Sequence, residues 1–518
     1  MEPEGDRLKT YLGGAVDFLK SMDFLLNSHM VTFISENIWE NRIPEDIAKE
    51  LNSMTWDDAL NISYAVGSLK DEVSLNDFAR CSTVKCHALI QYLVQCRRLS
   101  LEVLSSKDDV KKYFKTEKLE LNSDKWCGAN DGKLNLSPQY LTPAKKRHEV
   151  AVMSEFIANV FQKYLSEQGL TGAVVDIGGG KGYLGSNLAF LHGIKVLGID
   201  VASNVASAAK TRNEKICRKL SEACSLYQQK TAYVSPKTDV GLLLKEVEED
   251  WGKIDCVALV GLHTCGNLGP SCVELFASKS SSDVPIRMLC NVGCCYNLLE
   301  EKYLPDDCCL GRVKLCLPPS LNGNCADVPL ESNPGFPMSQ FLCQKMFWLG
   351  RNARNLASQS LDRVISERKI AVDSLFQRAV LQCVLLDLAS NSPETVKQGI
   401  LQKLEKMFLE GKGIGRLTNG NHVLSMYEYL SRAFGKLGID FTLSEADVDS
   451  ICSKFEPFKP KIKVFYVIRM FLAPVVETVI LLDRLLYLLE KGISEAYLAK
   501  LFDPVVSPRC YGLCAQVN

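Results

Sequence analysis

No excess of charge of either sign marks this chain. Its 518 residues carry 60 basic and 61 acidic side chains, so no global field draws it to nucleic acid, and only local basic patches remain open. The pattern of a secretory leader is missing too: Met1-Glu2-Pro3-Glu4 is acidic and no apolar signal stretch follows. The 21 scattered cysteines are therefore expected to be reduced thiols in a cytoplasmic or nuclear protein. An uninterrupted apolar run of membrane length is also lacking. The nearest approach, Val464 to Leu489, contains Pro474, Glu477, Asp483 and Arg484, and such charges in one window are costly in a bilayer. A buried helix packed on a sheet is expected there, with no membrane partner. No internal repeat or low-complexity tract is evident. Hydrophobic content of 47% against 23% charged is that of an ordinary soluble globular protein, and the length implies several domains or one domain with a large insertion.

Two familiar nucleotide loops fail at the most informative stretch, Val174-Val175-Asp176-Ile177-Gly178-Gly179-Gly180-Lys181-Gly182-Tyr183-Leu184. A dinucleotide loop needs its third glycine where Tyr183 stands, and a P-loop needs Ser or Thr where Gly182 follows Lys181. What is present is a β-branched strand, an acidic residue, glycines at every second position and then a helix. That spacing is the one S-adenosylmethionine (SAM) methyltransferases carry. About 20 residues on, Lys195-Val196-Leu197-Gly198-Ile199-Asp200 reads as a second strand whose terminal carboxylate is placed to accept the cofactor's ribose hydroxyls. Gly178, Gly180 and Gly182 allow close backbone approach, and Asp176 is placed for the amino group of the methionine moiety.

Along the chain, residues 1–106 read as a helical N-terminal region and 107–140 as a polar linker or loop. The methyltransferase core begins at 141–339, where residues 141–150 lead into a helix running to about Leu165, with strands at Val174, Lys195, Thr231 to Val234, Ile254 to Leu262 and Ile286 to Val292. Residues 340–460 read as a helical insertion, and 461–518 as the core's closing helix and hairpin. The fold class is α/β, a Rossmann-like parallel sheet whose ligand crevice lies beyond the carboxyl ends of the strands. That rule gathers Asp176, Asp200, Asp239, His263 and the run Cys294-Cys295-Tyr296 at one rim, with Asp239 expected to join Asp176 and Asp200 in binding the cofactor.

The Asn-Pro-Pro-aromatic motif of ordinary amino-methylation is absent after the fourth strand, where Leu262-His263-Thr264-Cys265-Gly266 stands instead. His263 is read either as a general base or substrate-orienting group, or as a turn residue bonded to backbone. Cys265, Cys294 and Cys295 have zinc-ligand chemistry, but their spacing matches no zinc finger or ribbon and adjacent cysteines do not easily hold one ion. No metal is expected, and buried small residues at a strand end are the preferred reading. Lys146 and His148 lie in a basic run that either contacts phosphate or the cofactor carboxylate, or simply opens a solvated helix.

Taken together, these motifs resemble the eukaryotic methyltransferase-like protein 25 group, including its paralogue once named after ribosomal RNA adenine dimethylase. The shared pieces are Lys145-Lys146-x-His148-Glu149, Asp176-x-Gly178-x-Gly180-x-Gly182, Gly261-Leu262-His263-x-Cys265-Gly266, Val292-Gly293-Cys294-Cys295-Tyr296, Ala473-Pro474-Val475-Val476-Glu477-Thr478 with Leu481 to Tyr487, and Ser507-Pro508-Arg509. The His-x-Cys-Gly and Cys-Cys pieces are also similar to acceptor-stem tRNA 2′-O-methyltransferases. Those carry Cys-Cys-His-His where this chain has Cys294-Cys295-Tyr296-Asn297, and zinc-binding modules with no counterpart here. The resemblance implies a SAM-dependent methyltransferase, and the acceptor is read as a macromolecule, RNA or protein. The alternative is a SAM-binding scaffold without turnover.

Overall fold

The computed structural model describes residues 5–81, 86–116, 144–220, 224–278, 283–303, 334–410, 414, 417 and 424–517. Its centre is one eight-stranded sheet in the order β1-β7-β8-β6-β5-β2-β3-β4. The strands are β1 (Phe114–Thr116), β2 (Gly172–Ile177), β3 (Lys195–Asp200), β4 (Tyr227–Thr231), β5 (Cys256–Cys265), β6 (Ile286–Cys294), β7 (Ala496–Lys500) and β8 (Tyr511–Gln516). Strands β2 to β6 pair in parallel, and β8 alone runs antiparallel, between β6 and β7. Ala173, Val174, Val175 and Ile177 of β2 are buried, as are Val257, Ala258, Leu259 and Val260 of β5. Such unbroken apolar runs are what a parallel sheet covered on both faces requires. The α/β Rossmann-like expectation is met.

Three expectations differ in detail. The third core strand lies at Tyr227–Thr231, ahead of the expected 231–234, because its polar Gln228, Gln229 and Lys230 sit on an edge strand and lack an apolar signature. Within the expected linker, Phe114–Thr116 forms β1, with Phe114 opposite Leu498, so the C-terminal hairpin is not the sheet's edge. A three-residue strand is too short to show a period. The rest of that linker, 117–140, lies outside the described residues, as do Cys308 and Cys309.

The expected single helix from Val464 to Leu489 is two, Phe458–Met470 and Leu472–Glu490. Pro474 falls in the first turn of the second, where backbone N–H groups have no intrahelical acceptor anyway. By length and composition 458–490 is long and apolar enough to cross a membrane, yet 83% of its apolar window is buried inside the protein. Its buried Asp483 is also satisfied internally. Asp483 accepts from the Met338 amide at 2.7 Å and from the amide and hydroxyl of Ser339 at 2.9 and 2.6 Å. Burial raises the Asp483 carboxyl to about 6, against the pull of these bonds.

The N-terminal helices pack on this same pair. Helix Asp6–Ser21 lies along Leu472–Glu490. Tyr92 donates to the Ile468 carbonyl at 3.0 Å, and Arg469 donates to the carbonyls of Leu25 and Leu26 at 3.2 and 2.9 Å. Helix Arg351–Ala357, in the segment expected as an insertion, also packs on Leu472–Glu490. It is held by a buried Arg354–Glu301 pair at 3.0 Å.

Candidate active site

The glycine loop leaves β2 and enters helix Tyr183–His192. Gly178, Gly180 and Gly182 take φ of 68°, 58° and 69°, the left-handed region that favours glycine. The space beside them differs. A Cβ on Gly180 would meet only the Gly178 carbonyl at 3.9 Å, so that side of the loop is open. A Cβ on Gly182 would overlap the Tyr227 hydroxyl, so packing as well as φ accounts for the glycine there. Asp200 receives the Gly180 amide at 3.1 Å and the Ala202 amide at 2.9 Å, one on each carboxylate oxygen. Each oxygen keeps a further lone pair for a ribose hydroxyl.

Asp176 is buried, and its Oδ2 has no hydrogen-bond partner among the described residues. Burial, reinforced by the neighbouring Asp200 charge and opposed by the Gly185 amide, raises its carboxyl to about 7. An orphaned buried acceptor beside an open glycine loop is a fit for a cationic amino group such as that of SAM. Asp239 caps helix Val240–Lys245 by accepting from the Leu242 amide at 3.1 Å, which accounts for it without a ligand. Lys146 lies 4.2 Å from the Tyr183 ring centroid and Arg212 lies 4.5 Å from it. Burial, with the charges of Lys181 and Arg212, holds the Lys146 ammonium below its usual range.

On the next strand, β5 runs through His263 rather than ending before it. Leu262 is opposite Val292 and Thr264 is opposite Gly293, so His263 is the extra residue of a bulge, at φ 67°. Left-handed backbone at a non-glycine residue is strained, and such strain clusters at functional sites. The bulge presents His263 Nε2 to Glu149 Oε2 at 2.9 Å. Glu149 lies on helix Ala144–Gln168, and its other oxygen accepts from the Ser507 hydroxyl at 2.6 Å, with Lys145 at 3.5 Å. Burial works to raise the Glu149 carboxyl, but bonds from His263 and Ser507 and the charge of Lys145 outweigh it and leave it below its usual range. Glu149 was missed as a site residue. It stands beside His148 in the basic run, where nothing in the spacing points to a histidine 114 positions away.

His148 instead accepts from the Asp503 amide at 3.1 Å and packs on Phe502, tying the helix to the C-terminal turn. Tyr296 corrects the rim expectation. It is 1% exposed, donates to Glu477 at 3.4 Å, and its ring faces Arg484 and Arg509. The turn at Cys295 sends it inward.

Cys265, Cys294 and Cys295 do meet. Cys265 and Cys294 sulfurs are 2.9 Å apart, Cys294 and Cys295 sulfurs 3.5 Å, and all three lie within 4.8 Å of one another. The expectation that adjacent cysteines do not easily hold one ion applies to an extended strand, where successive side chains point to opposite faces. Cys295 is left-handed, at φ 47° and ψ 50°, and this brings its thiol back to its neighbour's. The two surrounding thiols donate to Cys295 and pull it down to about 3, while the same contacts push Cys294 up.

Residues 145–302 match a family described as a methyltransferase domain. Over 99% of this chain and 98% of the relative, the sequence is 25% identical to a Homo sapiens protein named probable methyltransferase-like protein 25. A Mus musculus protein of the same name is 25% identical over 99% of this chain and 97% of its own. Among solved structures, the magnesium protoporphyrin IX methyltransferase ChlM from Synechocystis PCC 6803 with bound SAH aligns at a TM-score of 0.18 and 18% identity. That alignment covers 31% of this chain and 61% of the other, and it carries no weight in the assignment. The resemblance drawn from motifs between Lys145 and the C-terminus thus extends over nearly the whole chain. The chain carries a methyltransferase domain, and SAM is the methyl donor that domain implies.

Proposed function

We propose that this chain methylates a macromolecule, RNA or protein, at an acceptor that gives up a proton to His263. The observation that carries the reading is the Glu149–His263 pair beside the glycine loop, 2.9 Å apart. SAM supplies a methyl group already activated on a sulfonium, so the protein's tasks are in-line positioning and removal of the acceptor proton. Asp176 and the open side of Gly180 hold the donor's methionine end, and Asp200 its ribose. Glu149, held as a carboxylate, can only accept, so Nε2 of His263 carries the proton and Nδ1 is left as the base. A hydroxyl or imidazole acceptor fits that base, and the missing Asn-Pro-Pro-aromatic motif fits an acceptor other than an amide or base amine.

Lys146, Lys181 and Arg212 gather at the loop, which supports a phosphate-bearing acceptor such as RNA. The reading includes a cytoplasmic or nuclear location, supported by fourteen free cysteines among the described residues, although Cys217 is disulfide-bonded. It includes no membrane anchoring, supported by the burial of 458–490. The test is transfer of labelled methyl from SAM into an extract of cells lacking the protein. Label released by RNase identifies an RNA acceptor, and label released by protease a protein. Label confined to small molecules contradicts the reading, and no label in any fraction returns the chain to a scaffold.

A further inference from the structure

We propose that Cys265, Cys294 and Cys295 form a three-thiolate zinc site at the open ends of β5 and β6. Two separate backbone distortions are needed to assemble it. Continued from the pairing that holds between Ala258–Met288 and Leu262–Val292, Cys265 would stand level with Cys295; the extra residue at His263 sets it level with Cys294. The left-handed turn at Cys295 then folds the third thiol onto the same point. His263 and Cys295 are two of five non-glycine residues with positive φ in the described chain, and both serve this convergence.

The separations suit one shared ion. Zinc–sulfur bonds of about 2.3 Å in a tetrahedron place sulfurs about 3.8 Å apart. The 3.5 Å edge lies near that, the 2.9 Å edge is shorter and the third lies within 4.8 Å, all well beyond a disulfide bond of about 2.05 Å, so a small outward shift of the thiols seats one ion. Thiolates are soft donors that select zinc over hard cations, and an iron–sulfur cluster ordinarily takes four cysteines. Among the described residues no fourth histidine, cysteine or carboxylate joins the trio. Three protein ligands with one position left over is the arrangement of zinc sites that bind water or a reacting group. Cys265 and Cys295 are partly exposed, which leaves that position reachable.

The surrounding charge is suitable. Three thiolates and Zn²⁺ carry a net charge of −1. Behind Cys294, Arg484 is buried, with its Nη1 2.6 Å from where a Cβ on Gly293 would stand. Its Nε and Nη1 have no hydrogen-bond partner among the described residues, so a buried cation, near Asp483 and the Tyr296 ring, lies behind the site's backbone. The inference does not rest on the methyltransferase reading and survives if the acceptor proves different.

Full-length protein purified in reductant and supplied with zinc should hold about one ion per chain by plasma mass spectrometry. Cys265→Ser and Cys294→Ser should each lose it, whereas Cys272→Ser, at a buried thiol outside the trio, should keep it. If a serine variant fails to fold, cobalt loading of the unaltered chain decides, with a tetrahedral spectrum and a strong sulfur-to-metal charge-transfer band expected. Absence of both zinc and that band overturns the proposal. So does zinc retained by both folded serine variants, or a disulfide joining Cys265 to Cys294 in the reduced preparation.

Discussion

Replacing Asp176 by Asn should stabilise the ligand-free protein while weakening SAM binding. The carboxyl is 1% exposed and one of its oxygens has no partner among the described residues. Its folded-state value is raised from 3.8 to about 7, chiefly by burial. A group raised on folding contributes stability that is present below the unfolded value and is lost as pH climbs through the folded one. The loss therefore develops between about pH 4 and pH 7, and at 1.36 kcal/mol per pH unit it reaches about 4 kcal/mol. Asn keeps an oxygen for the Gly185 amide and removes the charge. In urea unfolding without SAM, the variant should match wild type near pH 4 and exceed it by a few kcal/mol near pH 8. Calorimetry near pH 8 should show SAM affinity reduced by about tenfold or more, since an ammonium loses its carboxylate partner. Equal stability of the two proteins across that pH range, or unaltered SAM affinity in the variant, would refute the reasoning.

His263→Ala should leave SAM affinity nearly intact and lower methyl transfer about 100-fold, measured as label incorporated into the acceptor fraction; unchanged turnover would return His263 to a structural role. Glu149→Gln should also lower transfer at intact SAM affinity. Because Glu149 is depressed on folding, its pairing contributes above the ordinary carboxylate range and is lost as pH falls through the depressed value, so wild-type transfer should drop on that acid side and the Gln variant should not follow it. Removal of everything after Pro460 should yield an aggregating chain without SAM binding. Helix Leu472–Glu490 alone buries ten Leu, Ile and Val side chains, about 15–30 kcal/mol at 1.5–3 kcal/mol each, against a domain stability of about 5–15 kcal/mol. A soluble, SAM-binding fragment 1–460 would contradict the placement of that helix in the core.

Features held in short range were readable from the chain. The strand–glycine–helix order around Gly178 needs only neighbouring residues, and the buried runs of β2, β3 and β5 are continuous in sequence. The charges at Asp483 and Glu477 marked the C-terminal helices as protein-buried, and Ser339 and Arg509 now supply their partners. What escaped depends on contacts between distant segments or on single-residue irregularities. Glu149 meets His263 and Ser507 across 114 and 358 positions. The bulge at His263 leaves no trace in an apolar run that tolerates one extra residue. The left-handed turn at Cys295 occurs at a cysteine, a residue type that gives no warning of positive φ, so the meeting of the three thiols and the inward turn of Tyr296 were both hidden. β4 and β1 escaped for a different reason: an edge strand of glutamines and a three-residue strand bury too little to impose a period.

The most direct test of the central claim is titration calorimetry of the full chain and its Gly180→Val variant with SAM, NAD and ATP. Gly180 has φ 58° and open space beside it, so a valine there is both strained and set where the donor must approach. The expected result is SAM binding to the wild type, with a dissociation constant on the order of micromolar, no NAD or ATP binding, and no SAM binding to the variant. Binding of NAD in place of SAM, or SAM binding that survives Gly180→Val, would contradict it.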